Sequence, residues 1–241
     1  MGKVRKAAEM RVPNLHRFLT RGYDNHRKIK PIKMGQADDR NEDDLILLIA
    51  CDNRFAIGNK GDMLFHIPDD LHHFKNTTMG HIVVMGRKTL ESLPGGKPLP
   101  GRLNVVMTRQ EREESENLRV VHDREALEAL LAEENPDGTR KVFHVGGGGL
   151  VKSLWDLIDE AILTRVDATF PEADTWIPDF DASEEFQLVD KGKSGEYKDL
   201  HWQIYHYKRI AEKNRKEAEK DHGVPQQAQH AVGKEKNADE R

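Results

Sequence analysis

The 241-residue sequence is poor in cysteine and in long apolar runs. Its single cysteine, Cys51, cannot form an internal disulfide, and no cysteine pair is spaced to bind zinc. No apolar run approaches the ~20 residues of a membrane helix, and the N-terminus has no apolar signal-peptide core. We therefore expect a soluble protein of the cytoplasm, without a metal site or a membrane attachment.

Charge of one sign does not dominate the chain, because the formal net charge is only −4. This argues against a protein that binds nucleic acid over its whole surface. Locally, residues 1–33 hold ten Lys or Arg against two acids. This basic arm could contact nucleic acid or act as an organellar address, but residues 1–44 lack the serines of a transit peptide. Met34 could also be the true start, in which case residues 1–33 would have no function. We therefore expect that the protein requires no nucleic-acid partner.

The two ends of the chain differ in composition from its middle. Residues 38–44 are acidic, and beyond Ile210 the chain is highly charged, with two valines as its only large apolar residues. Such segments cannot bury enough apolar surface to fold alone. We interpret residues 1–44 as a disordered N-terminal extension and residues 211–241 as a disordered tail or frayed helix. The folded domain is predicted over residues 45–210.

Within residues 45–210, short apolar runs alternate with helical patterns. The continuous run Leu45–Cys51 is typical of a strand buried on both faces. Further strands are predicted over residues 81–85, 103–108, 120–122, 141–145 and 160–167, with helices over 69–79, 86–93, 124–131 and 150–158. Residues 186–192 and 201–209 read as a hairpin around the turn SGEYKDL. The order predicts an α/β fold with a mainly parallel sheet, helices on both faces and an antiparallel edge.

Two segments are suited to phosphate groups. GGGG at 146–149 follows a strand and precedes a helix, where backbone N–H groups can approach a diphosphate, although an ordinary tight turn explains it equally well. MGRKT at 85–89 places Arg87 and Lys88 at a helix start, which by itself fits a solvated first turn. If the strands ending at Gly86 and Thr108 are neighbours, Arg87 and Arg109 converge at one edge of the sheet. Two such arginines suggest the 2′-phosphate that distinguishes NADPH from NADH.

The stretch MLFHIPDDLHHF at 63–74 places two carboxylates among apolar residues. Asp69 is predicted to cap the helix or to face water. Asp70 is flanked by Leu71, Phe74 and Phe65, so it is either a proton donor with a raised pKa or an ordinary acid of the first helical turn. The polar loop at 56–63 before it could close over a site as a lid. In PLPGR at 98–102, Arg102 could bind a carboxylate or simply end a loop.

Taken together, several segments in order resemble the dihydrofolate reductase family. They are LIACDNRFAIGNKGDMLFHIPDDLHHFK, IVVMGRKTLESL, PLPGRLNVVMTR, VFHVGGGG and ILTRVDATFPEADTWIPDF, and the resemblance covers roughly residues 45–209. It implies an eight-stranded, mostly parallel sheet with four flanking helices. It also implies hydride transfer from NADPH to C6 of 7,8-dihydrofolate, giving tetrahydrofolate, with protonation of N5 promoted by Asp70. The family default is a monomer.

The same resemblance implies three sets of site residues. The catalytic set is Asp70, Met63, Phe65 and Thr164. The substrate-binding set is Ile49, Asp70, Leu71, Phe74, Leu93, Arg102 and Thr164, with Arg102 on the substrate's α-carboxylate. The cofactor-binding set is Cys51, Ile57, Gly58, Asn59, Gly61, Asp62, Gly86, Arg87, Lys88, Thr89, Thr108, Arg109, Val145, Gly146, Gly147, Gly148, Gly149 and Leu150, with Gly146 and Gly147 joined by a cis peptide.

Three residues depart from the family pattern. Phe65 replaces a tryptophan, so it cannot donate an indole hydrogen bond to a water near Asp70. Val151 replaces an aromatic residue near the nicotinamide, and Gly149 replaces an arginine of some members. Two other functions are weighed: a reductase of the same fold with a different substrate, as in riboflavin synthesis, and a non-catalytic module. Asp70 and Arg102 argue against the first, and these two together with Thr164 argue against the second.

Overall fold

The computed structural model describes residues 3–4 and 45–211. The chain divides into two units, Met1–Arg209 and Ile210–Arg241, and only residues 210 and 211 of the second are described. In the N-terminal extension, Lys3–Val4 forms a short strand that runs parallel to Ala168–Thr169. The predictions of disorder for the rest of residues 1–44 and for residues 212–241 lie outside the described residues.

The first unit is built from strands and short helices. Within the described ranges the strands are β1 (Lys3–Val4), β2 (Leu45–Cys51), β3 (Ala56–Asn59), β4 (Asp62–Met63), β5 (Ile82–Gly86), β6 (Leu103–Met107), β7 (Leu118–Val121), β8 (Val142–His144), β9 (Ile158–Val166), β10 (Ala168–Thr169), β11 (Thr175–Trp176), β12 (Phe186–Tyr197) and β13 (Leu200–Arg209). The helices are α1 (Pro68–Thr78), α2 (Arg87–Ser92), α3 (Arg124–Glu134) and α4 (Gly148–Ser153), with 3₁₀ turns at Pro94–Gly96 and Trp155–Leu157. None of the helices in these ranges has the length and apolar character needed to cross a membrane.

The main sheet has eight strands in the order β12-β13-β9-β2-β8-β5-β6-β7. The six strands from β9 to β7 pair in parallel, and β13 joins β9 antiparallel before the hairpin to β12. The predicted α/β fold, with a mostly parallel sheet, four helices and an antiparallel C-terminal hairpin, is therefore confirmed. Because β5 and β6 are neighbours, the carboxyl ends that precede Arg87 and Arg109 meet at one edge, as predicted.

Both faces of the sheet are buried. Along β8, Val142 packs in a cluster with Leu47 and Val151, whereas Phe143 packs in a second cluster with Leu48. This explains why the central strands read as unbroken apolar runs rather than as alternating patterns. Phe74 and Leu93 of the predicted substrate-binding set pack against this second cluster as partly buried side chains, whereas Ile49 packs against the first.

The turn of the C-terminal hairpin lies within the predicted segment SGEYKDL but is shorter than that segment. Strands β12 and β13 extend to Tyr197 and Leu200, and Lys198 and Asp199 make the turn with positive φ angles of 48° and 61°. A two-residue turn of this kind matches the twist of its strands. Gly195, the glycine of the predicted turn segment, does not form the turn. A methyl group on Gly195 would lie 2.6 Å from Cζ2 of Trp202. The glycine makes room for a ring on the neighbouring strand.

The predicted polar loop at residues 56–63 is a hairpin of β3 and β4, which corrects that expectation. It belongs to a separate three-stranded sheet in the order β11-β3-β4. The buried carboxylate of Asp52 fixes its base, because it accepts hydrogen bonds from the N–H groups of Arg54, Ala56 and Phe170 at 2.8, 2.9 and 3.0 Å. Carboxylates that satisfy several buried N–H groups hold irregular backbone in one conformation.

Candidate active site

Asp70 lies in the first turn of α1, where the helix meets the carboxyl edge of the sheet. Ile67 precedes the helix without a side-chain cap, and Pro68 opens it. Asp69, predicted to cap the helix or face water, does not cap it: its side chain is exposed and lies 3.7 Å from Lys193 Nζ. Asp70 instead turns inward, where burial raises the pKa of its carboxyl group to about 6. A side-chain hydrogen bond with Thr164 opposes part of this rise.

Strand β9 presents Thr164 to this carboxylate. Thr164 is 2% exposed and lies opposite Ala50 in the parallel register of β2 and β9. The hydroxyl therefore reaches Asp70 from the sheet, while Asp70 comes from the helix. The arrangement brings the pKa of the Asp70 carboxyl group closer to neutrality and fixes the orientation of that group. A proton donor requires both.

Arg102 is buried at the start of β6, with 3% of its surface exposed. Its Nε donates to the carbonyl of Pro100 at 3.0 Å, and Nη1 donates to Thr78 Oγ1 at 3.3 Å. Nη2 is buried with no hydrogen-bond partner in the part of the chain that the structure describes. Burial lowers the pKa of the guanidinium to about 10, so it stays charged near neutrality. A buried cation with a free donor is prepared for an anionic ligand group.

Apolar side chains line the space beside α1. Phe74 and Leu93 pack as partly buried residues against the core cluster that contains Leu48 and Leu99, and Leu71 is buried. Phe65 is also buried, and its ring centroid lies 5.6 Å from that of Phe170. The residue that replaces the family's tryptophan thus packs into the core.

The hairpin of β3 and β4 precedes α1 in the chain and carries the predicted lid residues. Met63 is 41% exposed at the end of β4. Asp174, in the segment before β11, accepts a hydrogen bond from Lys60 N–H at 2.7 Å and donates its own N–H to Gly58 O at 3.1 Å. Sequence reasoning missed Asp174, whose place in ATFPEADTW gave no local signal. It ties the turn of the hairpin to a remote part of the chain.

The glycine segment 146–149 lies between the substrate wall and α2. A methyl group on Gly146 would lie 3.4 Å from Ile49 Cδ1 and 3.8 Å from Thr89 Oγ1, and the Gly86 N–H donates to Gly146 O at 2.9 Å. Gly146 has a φ of 108°, and its peptide bond to Gly147 is cis, as the resemblance implies. The structure therefore brings the predicted substrate residue Ile49 together with residues of the cofactor set.

The other end of the glycine segment starts α4. A methyl group on Gly148 would lie 2.5 Å from the Trp176 carbonyl oxygen, so this glycine allows β11 to approach. At Gly149 the same construction meets nothing within 4 Å, and the residue is exposed. A glycine that no packing requires leaves this backbone open to a ligand. Val151, where the family has an aromatic residue, is fully buried in the core.

The predicted phosphate residues lie where β5 and β6 end. Arg87 is bound by Glu91 in the next turn of α2, with Nη1–Oε distances of 2.6 and 2.7 Å. Lys88 and Arg109 are exposed at the same edge. Cys51, also in the cofactor set, is fully buried, and burial raises the pKa of its thiol to about 12. It can therefore contribute through its backbone alone.

The remaining predicted residues lie around these groups. Ile57, Gly58 and Asn59 belong to β3, Gly61 and Asp62 to its hairpin, Thr108 follows β6, Val145 follows β8, and Leu150 lies in α4. A glycine segment between a strand and a helix lies at the same sheet edge as a carboxyl group of raised pKa. This combination fits an enzyme that uses a nucleotide cofactor.

Comparison with known proteins gives the family. A family model described as "Dihydrofolate reductase" matches residues 44–209. The dihydrofolate reductase of Bacillus subtilis is 36% identical over 136 residues, which are 56% of this chain and 76% of that protein. The Staphylococcus aureus protein is 36% identical over 136 residues, 56% of this chain and 79% of its own. The Haloferax volcanii dihydrofolate reductase HdrB is 38% identical over 141 residues, 57% of this chain and 71% of its own. The chain therefore belongs to the dihydrofolate reductase family and is an oxidoreductase.

Proposed function

We propose that the chain reduces 7,8-dihydrofolate to 5,6,7,8-tetrahydrofolate with NADPH, by hydride transfer to C6 and protonation at N5. Family membership supports the substrate and the use of a nicotinamide cofactor. The observation that carries the mechanism is the raised pKa of Asp70 beside Thr164. At a pKa of about 6, about a tenth of this carboxyl group still holds a proton at pH 7, far more than at its ordinary pKa.

In this mechanism the Asp70 carboxyl group binds and releases the proton, and Thr164 orients that carboxyl group. Below a pH of about 6 the carboxyl group is protonated and favours the reactive, N5-protonated substrate, and above it the rate falls. Phe65 offers no hydrogen bond, so a water that relays the proton must be held by other groups. The wall of Leu71, Phe74 and Leu93 excludes bulk water.

Arg102 would bind the α-carboxylate of the substrate. Its Nη2 is the free donor, and Thr78 holds the rest of the guanidinium in place. A carboxylate that pairs with this buried cation gains a charge-assisted hydrogen bond and satisfies a donor that is otherwise unpaired. This feature favours dihydrofolate over a substrate that lacks a carboxylate.

NADPH, when bound, supplies the hydride. The exposed backbone at Gly149 fits its diphosphate, since a methyl group there would meet nothing within 4 Å, and the half-buried turns at Gly86 and Gly147 lie next to it. Arg87 and Arg109 would hold the 2′-phosphate, with Arg87 leaving Glu91 to do so. The cytoplasmic location, the monomeric state and the division into a domain with two extensions belong to the same proposal.

The test follows NADPH consumption with dihydrofolate across pH, for the wild type and Asp70→Asn. We expect wild-type turnover that falls as pH rises, and a loss of at least about 100-fold in Asp70→Asn that is most severe at neutral pH, where the substrate is unprotonated. Wild-type protein that binds NADPH but leaves dihydrofolate unchanged would show that the substrate is wrong. Binding of neither ligand would favour a non-catalytic module.

A further inference from the structure

A histidine is buried beneath the glycine segment, where the surrounding strands are apolar. His144 is the last residue of β8 and has no exposed surface. In the sheet it lies between Leu47 of β2 and Val84 of β5. The sequence analysis predicts no role for this residue, and an aliphatic side chain would occupy such a position at lower cost.

The ring accepts a hydrogen bond from the glycine segment. The Gly146 N–H donates to His144 Nδ1 at 3.1 Å. The carbonyl of the same glycine accepts from the Gly86 N–H at 2.9 Å. Gly146 is therefore held on both sides, by the imidazole through its N–H and by the turn before α2 through its carbonyl.

The direction of this bond fixes the state of the ring. An Nδ1 that accepts a hydrogen bond carries no proton, so the proton of the neutral imidazole sits on Nε2. Burial lowers the pKa of His144 to about 4, and the carbonyl groups of Leu150 and Val84 only partly oppose this. The ring is thus neutral at working pH. Nε2 is buried and makes no hydrogen bond of ordinary geometry among the described residues. The carbonyls of Leu150 and Val84 act on the ring without completing such a bond, so this donor stays poorly satisfied.

We propose that His144 is a positioning residue for the nucleotide cofactor: its Nδ1 orients the Gly146 N–H and so sets the backbone of residues 146–149 that receives the diphosphate. The inference rests on the proposed use of NADPH. The loop that must meet a ligand consists of four glycines, which have the highest backbone entropy when free. A hydrogen bond from beneath the loop reduces the number of conformations it samples before the cofactor binds.

Two variants separate this role from a merely structural one. His144→Leu fills the site with apolar volume but removes the acceptor, whereas His144→Asn leaves a smaller side chain whose Oδ1 can accept from the N–H two residues on. We expect His144→Leu to raise the Kd for NADPH about five- to tenfold, the effect of losing one neutral hydrogen bond. His144→Asn should stay within about threefold of the wild type. The KM for dihydrofolate should not change in either variant.

The melting temperatures of the two variants should rank in the opposite order to their affinities for NADPH. An effect of packing alone would rank both quantities in the same order. His144→Leu removes the unsatisfied donor and should melt at or above the wild-type temperature, while the cavity in His144→Asn lowers its melting temperature. Kd is measured by NADPH quenching of tryptophan fluorescence, and melting by circular dichroism without ligand. Tight NADPH binding by His144→Leu, or affinities that follow melting temperatures, would overturn the inference while the proposed function stands.

A measurement on the wild type covers the case in which the variants do not fold. ¹⁵N NMR of the ring should show His144 as the neutral Nε2–H tautomer, and a proton on Nδ1 would refute the hydrogen bond. Wild-type protein that fails to bind NADPH removes the proposed function and this inference with it.

Discussion

Replacing Asp70 by asparagine should raise the free energy of unfolding at alkaline pH, although it removes the proposed proton donor. Folding raises the pKa of this carboxyl group from 3.8 to about 6, so the folded protein binds more protons than the unfolded chain between those values. Stability therefore falls as pH rises through this window. At about 1.4 kcal/mol per pKa unit the full effect is about 3 kcal/mol. Because the residue is partly exposed, we expect roughly 1–3 kcal/mol.

The assay is urea denaturation of the wild type and Asp70→Asn, without ligands, near pH 4 and near pH 8. Near pH 4 the carboxyl group is largely protonated in the folded protein, and the two proteins should differ little. Near pH 8 the variant should be more stable by roughly 1–3 kcal/mol, since asparagine carries no charge to bury. Asp69→Asn is the matched control, because Asp69 is the exposed neighbour and its distant pair with Lys193 contributes little. A stability difference that does not change with pH would refute the reasoning.

Other predictions concern packing, binding and reactivity. Gly148→Ala should lower stability by about 1–3 kcal/mol in urea unfolding, because the methyl group meets the Trp176 carbonyl at 2.5 Å, whereas Gly149→Ala should stay near the wild type; equal effects would contradict this. Arg102→Lys should raise the KM for dihydrofolate by about tenfold or more, since an ammonium cannot reproduce the guanidinium contacts; an unchanged KM would exclude the carboxylate contact. Cys51 should resist alkylation by iodoacetamide in the native protein at pH 8 and react on unfolding, because it is buried and its pKa is raised to about 12; rapid labelling of native protein would disprove this.

The sequence predicted the sheet well because its signals are local and strong. Leu45–Cys51 is uniformly apolar, and Asp123 is a typical capping residue that does cap α3, accepting from the Ala126 N–H at 2.8 Å. The predicted turn segment SGEYKDL contains the observed turn but is longer than it, because Gly195 marks a close approach of Trp202 within the strands, a contact that no local pattern reveals. The hairpin at residues 56–63 was missed because its strands are only four and two residues long. The strand that completes its sheet, β11, lies more than a hundred residues further on.

In the candidate site, too, some residues could be predicted from the local sequence and others could not. Asp70 and Arg102 stand in segments whose chemistry can be read locally, and family resemblance gave them roles. Thr78 and Asp174 act through hydrogen bonds to distant parts of the chain, so no spacing rule could find them. His144 carried no signal, because a histidine in an apolar strand does not show which atom its ring will meet.

The free donor on Arg102 has a consequence for how the protein would respond to ligands. The unligated protein already bears the cost of an unsatisfied buried nitrogen, so a ligand that supplies a carboxylate removes this penalty as well as adding a contact. Analogues that keep the pterin ring but lack the carboxylate leave the penalty in place. The protein therefore discriminates between the two compounds, and the ligand-induced rise in melting temperature should be larger for the carboxylate-bearing compound.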